Sequence, residues 1–185
     1  MGEVDTPSRR FGARYREEVL LSDGTRVLLR PLGPDDASRL NAHFLHLSYD
    51  SRYRRFLGAK TVLSDSELHF LTHPDGETHY ALIAVRTDRP DEPLGVARFI
   101  RDPHVPDVAE PALAIVDPMQ AQGLGRILVM RLGEAARERG IKRFRWLMLS
   151  ENIAVRRLVR ELARDFHLQQ VDSSVVIDAA IPPAD

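Results

Sequence analysis

Residues 117–128 read DPMQAQGLGRIL. The apolar run VAEPALAIV (108–116) precedes them, and a helix-like run, 123–139, begins inside them. Strand, glycine-bearing loop and helix N-terminus, in that order, suit the gripping of an anion. The N–H groups of a first helical turn lack intrahelical partners, and the helix dipole favours negative charge there. Gly123 and Gly125 let backbone approach phosphate oxygens closely. The common nucleotide loops do not fit. There is no GxxxxGK[ST], the loop lacks lysine, and Ile127 and Leu128 follow Gly125 without a third glycine. Taken alone, the GLG triplet reads as a plain turn or as an anion cradle.

Outward from this loop the elements are legible. EVLLSDGTRVLLRPL holds two apolar runs around Asp23-Gly24, a hairpin signal. Pro34 opens a helix carrying Leu40, Phe44 and Leu47 at helical spacing. SYDSRYRRFLGAK is basic and aromatic, with weak periodicity. Ser64 and Glu67 form a capping box, with Leu63 and Leu68 as its staple, so a second short helix starts there. YALIAVR (80–86), PLGVARFI (93–100) and 108–116 read as strands; Pro111 predicts a bulge or an unpaired stretch in the third. The helix over 123–139 places Leu124, Leu128, Leu132 and Ala135 on one side and ends at Gly140. FRWLMLS (144–150) is a buried strand. Asn152 caps a helix running to about Phe166, and SSVVIDA is a final strand.

This is one mixed α/β or α+β domain, expected over 17–180 after a flexible segment at 1–16. Its 26 Lys+Arg balance 27 Asp+Glu, which argues against broad electrostatic binding to nucleic acid or anionic membrane. Without cysteine there is no disulfide, no Cys-ligated zinc and no cysteine nucleophile. No apolar run reaches membrane-spanning length and the first residues lack a secretory h-region, so a cytoplasmic location is expected.

Gln120-Ala121-Gln122-Gly123-Leu124-Gly125 matches Q/R-x-x-G-x-G/A between a strand and a helix. It resembles the pyrophosphate loop of the GNAT superfamily of acyl-CoA-dependent N-acyltransferases. The likeness covers about residues 22–167, with ENIAVRRLVREL (151–162) similar to the superfamily's asparagine-containing helix. DGTRVLLRPLGPDDASRL, LSYDSRYRRFLG and GVARFIRDPHVPDVAEPALAIVD are similar to bacterial protein lysine acetyltransferases of the Pat type. Those often carry a fused nucleotide-sensing or acyl-CoA-synthetase-like domain; no such domain is expected within these residues.

The resemblance implies a central mixed sheet, splayed between its fourth and fifth core strands and flanked by helices. It implies acetyl-CoA as co-substrate and no metal. Leu113, Ala114 and Ile115 would offer backbone groups to the pantetheine arm. Gln120, Ala121, Gln122, Gly123, Leu124, Gly125 and Arg126 would form the pyrophosphate loop, and Asn152 would contact the pantetheine region. Asn152 also reads as a plain N-cap, Arg126 as a solvated helix residue, and Leu113 and Ile115 as core. A tyrosine common seven residues after the asparagine is replaced by Val159, which leaves the leaving-group acid unassigned.

Transfer to an amine needs a base, because a free lysine has a pKa of about 10.4. Glu110 is the candidate: a carboxylate in an apolar strand, where partial burial would raise its pKa, at the position of the Pat-type catalytic glutamate. The alternative is a solvated glutamate. His104 is a second candidate; His69 and His73, one turn apart, read as surface or packing residues. SRYRRFLG (51–58) suits contact with an acidic protein surface or nucleic acid, or arginine stems covering aromatic rings. The leading reading is an acetyltransferase acting on a protein lysine, with a partner such as an acyl-CoA synthetase. A small-amine acetyltransferase and a non-catalytic acyl-CoA-sensing module are the alternatives.

Overall fold

The Asp23-Gly24 pair turns the chain between β1 (Glu17–Leu20) and β2 (Arg26–Pro31), with Gly24 at φ 86°. The computed structural model describes residues 9–182. After β2, a 3-10 turn at Pro34–Asp36 leads into α1 (Ala37–His46), α2 (Tyr49–Phe56) and α3 (Asp65–Thr72). Then come β3 (His79–Arg86), β4 (Pro93–Arg101), β5 (Val108–Ile115) and α4 (Leu124–Arg137). The chain continues through β6 (Arg143–Leu149), α5 (Ile153–Leu162), β7 (Phe166–Val171) and β8 (Ser174–Ala180).

The strands form one sheet in the order β1-β2-β3-β4-β5-β6-β8-β7. Every pairing is antiparallel except that of β5 with β6. Alternation along β3 builds a core on each face. Tyr80, Leu82 and Ala84 join Leu124 and Leu128 of α4 in the larger cluster, while Ala81, Ile83 and Val85 pack with Leu32, Leu40 and Val96. The sheet is thus covered by α4 on one side and by the α1–α3 group on the other. No described helix is long and apolar enough to cross a membrane.

Two expectations meet a different outcome, and two readings are completed by the structure. SYDSRYRRFLGAK contains a helix, α2, which Ser48 caps through the N–H of Ser51 and which ends with Leu57 in the left-handed region at φ 55°. The helix expected to reach Phe166 stops at Leu162, because the chain after it enters a hairpin with β8, where Ala180 N–H donates to the Asp165 carbonyl at 2.8 Å. Of the segment 1–16 expected to be flexible, residues 1–8 lie outside the described residues, but Phe11 and Tyr15 are buried in the main core. Pro111 causes no bulge against β4, whose register runs unbroken from Gly95↔Ile115 to Arg101↔Ala109. The unpaired stretch expected near Pro111 lies on the other edge of β5, where pairing with β6 ends at Ala109.

A buried ion pair ties the end of β2 to the start of α1. Arg30 donates from two nitrogens to the Asp36 carboxylate at 2.7 and 2.6 Å, and the N–H of Gly33 donates at 3.0 Å. Burial alone would raise the Asp36 pKa, but Arg30 and Gly33 outweigh it and hold the carboxyl below its ordinary value. Removing one partner leaves a buried charge uncompensated, so Asp36→Asn is expected to destabilise by about 3 kcal/mol in urea unfolding at pH 7. The folded pKa is depressed, so this contribution is complete above the unfolded value, near ~4, and fades as pH falls through the folded one. The mutant's deficit should therefore shrink on acidification below ~4; a deficit constant down to the acid limit would contradict the assignment.

Candidate active site

β5 and β6 pair at only two positions, Val108↔Arg143 and Ala109↔Phe144, although β5 runs on to Ile115 and β6 to Leu149. Beyond Ala109 a slot opens between them. Counting from β2, with β1 left as the short edge strand, these are the fourth and fifth strands, where the splay was expected. Asp102 N–H donates to Val108 O at 2.9 Å, and Val116 N–H to Leu94 O at 3.0 Å. Antiparallel alternation then turns the N–H and C=O of even-numbered β5 residues toward β4. Those of Pro111, Leu113 and Ile115 face the slot. Proline thus sits where its missing N–H costs β4 nothing and gives β6 nothing to hold.

The loop after β5 is held from behind. Gln120 Nε2 donates to the Ile115 carbonyl at 3.1 Å and to Ser51 Oγ at 3.2 Å. Ser22, in the β1–β2 turn, donates to Gln122 Oε1 at 2.9 Å. Both glutamine side chains are therefore engaged in positioning the loop. Ala121 and Gly123 are left-handed, at φ 60° and 91°. The first helical bond of α4 that reaches back to the loop is Ile127 N–H to Gly123 O, and no side chain caps the helix. The N–H groups of residues 121–126 consequently meet no acceptor among the described residues. Such a row of free donors at a helix N-terminus has the geometry of a phosphate cradle. Gly125 has a different task. A Cβ there would lie 3.1 Å from Ile115 Cδ1 and 3.6 Å from Leu113 Cδ2, so glycine lets α4 settle against β5. Arg126 is exposed beside the cradle.

Across the slot, Asn152 caps α5, its Oδ1 accepting from Val155 N–H at 3.3 Å. Its amide nitrogen makes no bond to a described residue. Val159 is buried, so no acid stands at that position.

On the opposite face of β5, Glu110 opens into a cavity of 240 Å³, lined also by Arg55, Phe56, Phe70, Arg98 and Ile100. A narrower cleft of 30 Å³ shares Arg55 and Arg98 and reaches His43 and Ala114. Glu110 is exposed at this mouth, and the burial expected of its carboxylate is not found. Arg98 is 3% exposed and donates from Nη1 to the Leu71 carbonyl at 3.0 Å, with His79 Nε2 also 3.0 Å away. Burial, reinforced by the neighbouring Arg55 charge, lowers the Arg98 pKa to about 9. Burial likewise lowers His43 to about 4, leaving it neutral near pH 7. His104 lies outside the lining of both cavities. His69 and His73 stack at 3.8 Å, and no described residues group as three or more metal ligands.

The slot and cradle therefore collect Leu113, Ile115 and residues 121–126, with Asn152 on the far wall. Sequence reasoning missed Arg98 and His43. Arg98 stands in an otherwise apolar strand, and His43 on the apolar face of α1, so neither showed a local signal.

An unpaired strand edge beside a row of free N–H donors suits a ligand that carries both an amide-bearing arm and phosphate, as acyl-coenzyme A does. The profile of the acetyltransferase (GNAT) family matches residues 43–163. The chain belongs to that family of acyltransferases, whose co-substrate is acetyl-CoA. It is 28% identical to acetyltransferase Pat of Mycolicibacterium smegmatis over 90% of this chain, but spans only 49% of that protein. It is 32% identical to acetyltransferase PA5475 of Pseudomonas aeruginosa, covering 77% of this chain and 74% of that one. The crystal structure of the GNAT domain of S. lividans PAT superposes with a TM-score of 0.82 at 27% identity, covering 92% of this chain and 99% of that domain.

Gly123→Ala tests the cradle. A Cβ at φ 91° has room but is conformationally strained, at a cost of about 1–2 kcal/mol. Relaxation of that strain would turn the N–H row away, so coenzyme A affinity in calorimetry should fall by about tenfold for each 1.4 kcal/mol lost. Unchanged affinity would show that the row does not carry phosphate.

Proposed function

We propose that this protein transfers the acetyl group of acetyl-CoA directly to a lysine amine of a protein, with Glu110 as general base. The observation that carries the proposal is the placement of Glu110. Its carboxylate opens into a cavity on one face of β5, the strand whose inner edge faces the cofactor slot. The likeness to the Pat proteins supports a protein acceptor, and an acyl-CoA synthetase is a fitting one.

Acetyl-CoA supplies an activated acyl group as a thioester. The free N–H groups of 121–126 hold its diphosphate, and the slot-facing groups of Leu113 and Ile115, with the Asn152 amide, hold the arm. A lysine arriving as ammonium cannot attack, so Glu110 accepts its proton, directly or through one water. The amine nitrogen then bonds to the acetyl carbon as the carbon–sulfur bond breaks. The Leu113 N–H is the strand donor facing the slot, the kind of group that stabilises negative charge on the thioester oxygen. Thiols titrate near ~8.5, so a thiolate leaves without an enzymic acid, which fits a buried Val159. An exposed Glu110 passes its proton to solvent directly, completing the cycle.

Acetyl-labelled acetyl-CoA incubated with the protein and a cell lysate tests this reading. Label should enter discrete protein bands, and Glu110→Gln should lower the rate by about 10²–10⁴-fold. Label confined to small molecules would transfer the acceptor assignment to a small amine. Binding of acetyl-CoA without transfer in either protein would establish a sensing module instead.

A further inference from the structure

The acceptor cavity contains a charge that the mechanism above does not use. Arg55, the seventh residue of α2, is partly buried and lines both the outer cavity and the inner cleft. Its guanidinium lies 5.0 Å from the centroid of the Phe56 ring. It forms no hydrogen bond with any described residue and has no carboxylate within the 4.0 Å of an ion pair. Two other partly buried arginines are held by carboxylates: Arg30 is bidentate on Asp36, and Arg143 reaches Asp165 and Asp178. An arginine carries five donors in a fixed fork. A ring face satisfies none of them in the way an anion does.

The surroundings sharpen the point. Arg98, the second cation of the cavity, spends its bonds on the Leu71 carbonyl and His79, and its charge disfavours that of Arg55. Two guanidiniums facing one space repel, and an anion between them relieves both. The acids that line the cavity do not supply it. Glu67 is bound to Lys60 at 2.6 Å and to the Ser64 N–H at 2.9 Å. Glu110 attracts Arg55 only at longer range, and burial still lowers the Arg55 pKa against that attraction. A carboxylate matches the guanidinium fork and brings a single charge, which suits a cavity already holding Glu110. The exposed faces of Phe70 and Ile100 leave an apolar edge for an aliphatic stem.

We infer that the acceptor carries a carboxylate close to its reacting amine, and that Arg55, flanked by Arg98, binds it as the specificity-determining residue. This rests on reading the cavity as the acceptor site. The carboxylate belongs to an acidic side chain beside the target lysine or to the acceptor's own free carboxyl group.

The test is an equilibrium one, independent of turnover. Fluorescent acetyl-lysine peptides with one glutamate or one glutamine, placed in turn at each of the two positions on either side, are titrated into the full chain with coenzyme A. Free Nε-acetyl-lysine and its carboxamide are run as competitors. The inference expects a carboxylate preference of about tenfold or more in one of these sets, the size of a lost charged hydrogen bond. Arg55→Gln should bring the two affinities to within about twofold, while Arg55→Lys, which keeps the charge, retains part of the preference. Preference among the peptides assigns the carboxylate to a protein acceptor; preference among the competitors assigns it to a small one. Equal affinities in the wild-type protein, or a preference that survives Arg55→Gln, overturn the inference. A carboxylate preference in a protein that transfers no acetyl would uphold it while overturning the catalytic reading.

Discussion

Two parallel strands that bond at two positions and then part leave backbone donors and acceptors facing each other without partners. That condition, at β5 and β6, organises the rest of the molecule. Buried backbone groups must be satisfied, and an arm carrying amides can satisfy them as an added strand would. Pro111 stands two residues beyond the last pair, with its missing N–H on the slot side. The opening is thus built into the chain, since β6 has no donor to meet there. The other edges hold firm: β4 pairs with β5 from Gly95 to Arg101, and β8 with β6 along its whole length.

The loop at the end of the slot shows how few residues a phosphate cradle needs when others hold them. Two left-handed residues, Ala121 and Gly123, aim successive N–H groups outward. Gln120 and Gln122 pull the loop against β5 and the first hairpin through their side chains. Gly125 allows α4 to lie close on β5, which sets the helix start beside the strand edge. The opposite face of β5 carries Glu110 and the guanidiniums of Arg55 and Arg98 around one cavity, where we place the acceptor. A single strand thus stands between the slot and the cavity and presents a different chemistry to each.

Much of this was legible from the chain. Asp23-Gly24 announced the first hairpin, and the Ser64–Glu67 capping box forms with both of its bonds. The loop and its helix stood out because glycine at special conformations and apolar periodicity are local signals. The parts that stayed hidden are those decided by tertiary contacts. α2 buries no residue completely and is polar along most of its length, which masks the helical spacing of Tyr49, Tyr53 and Phe56; a serine cap and packing near β5 settle it. Phe166 continues the helical spacing of Val155, Leu158 and Leu162, yet pairing with β8 captures it as a strand. Arg98 looks like an interruption of an apolar strand until the fold sets it beside Arg55. The burial expected for Glu110 failed for the same reason: alternation places it outward at a cavity mouth, which sequence spacing could not distinguish from the core.

The central claim is that the unpaired edge of β5 and the N–H row of 121–126 together receive coenzyme A. Backbone amide hydrogen exchange, measured by NMR with and without coenzyme A, tests it most directly. The amides of Leu113 and of residues 121–126 should become protected and shift together at one saturating concentration, while those of β1 to β3 hardly change. Protection that spares Leu113 and the loop, or that falls instead on the face of β4 and β5 carrying Arg98 and Glu110, would contradict it.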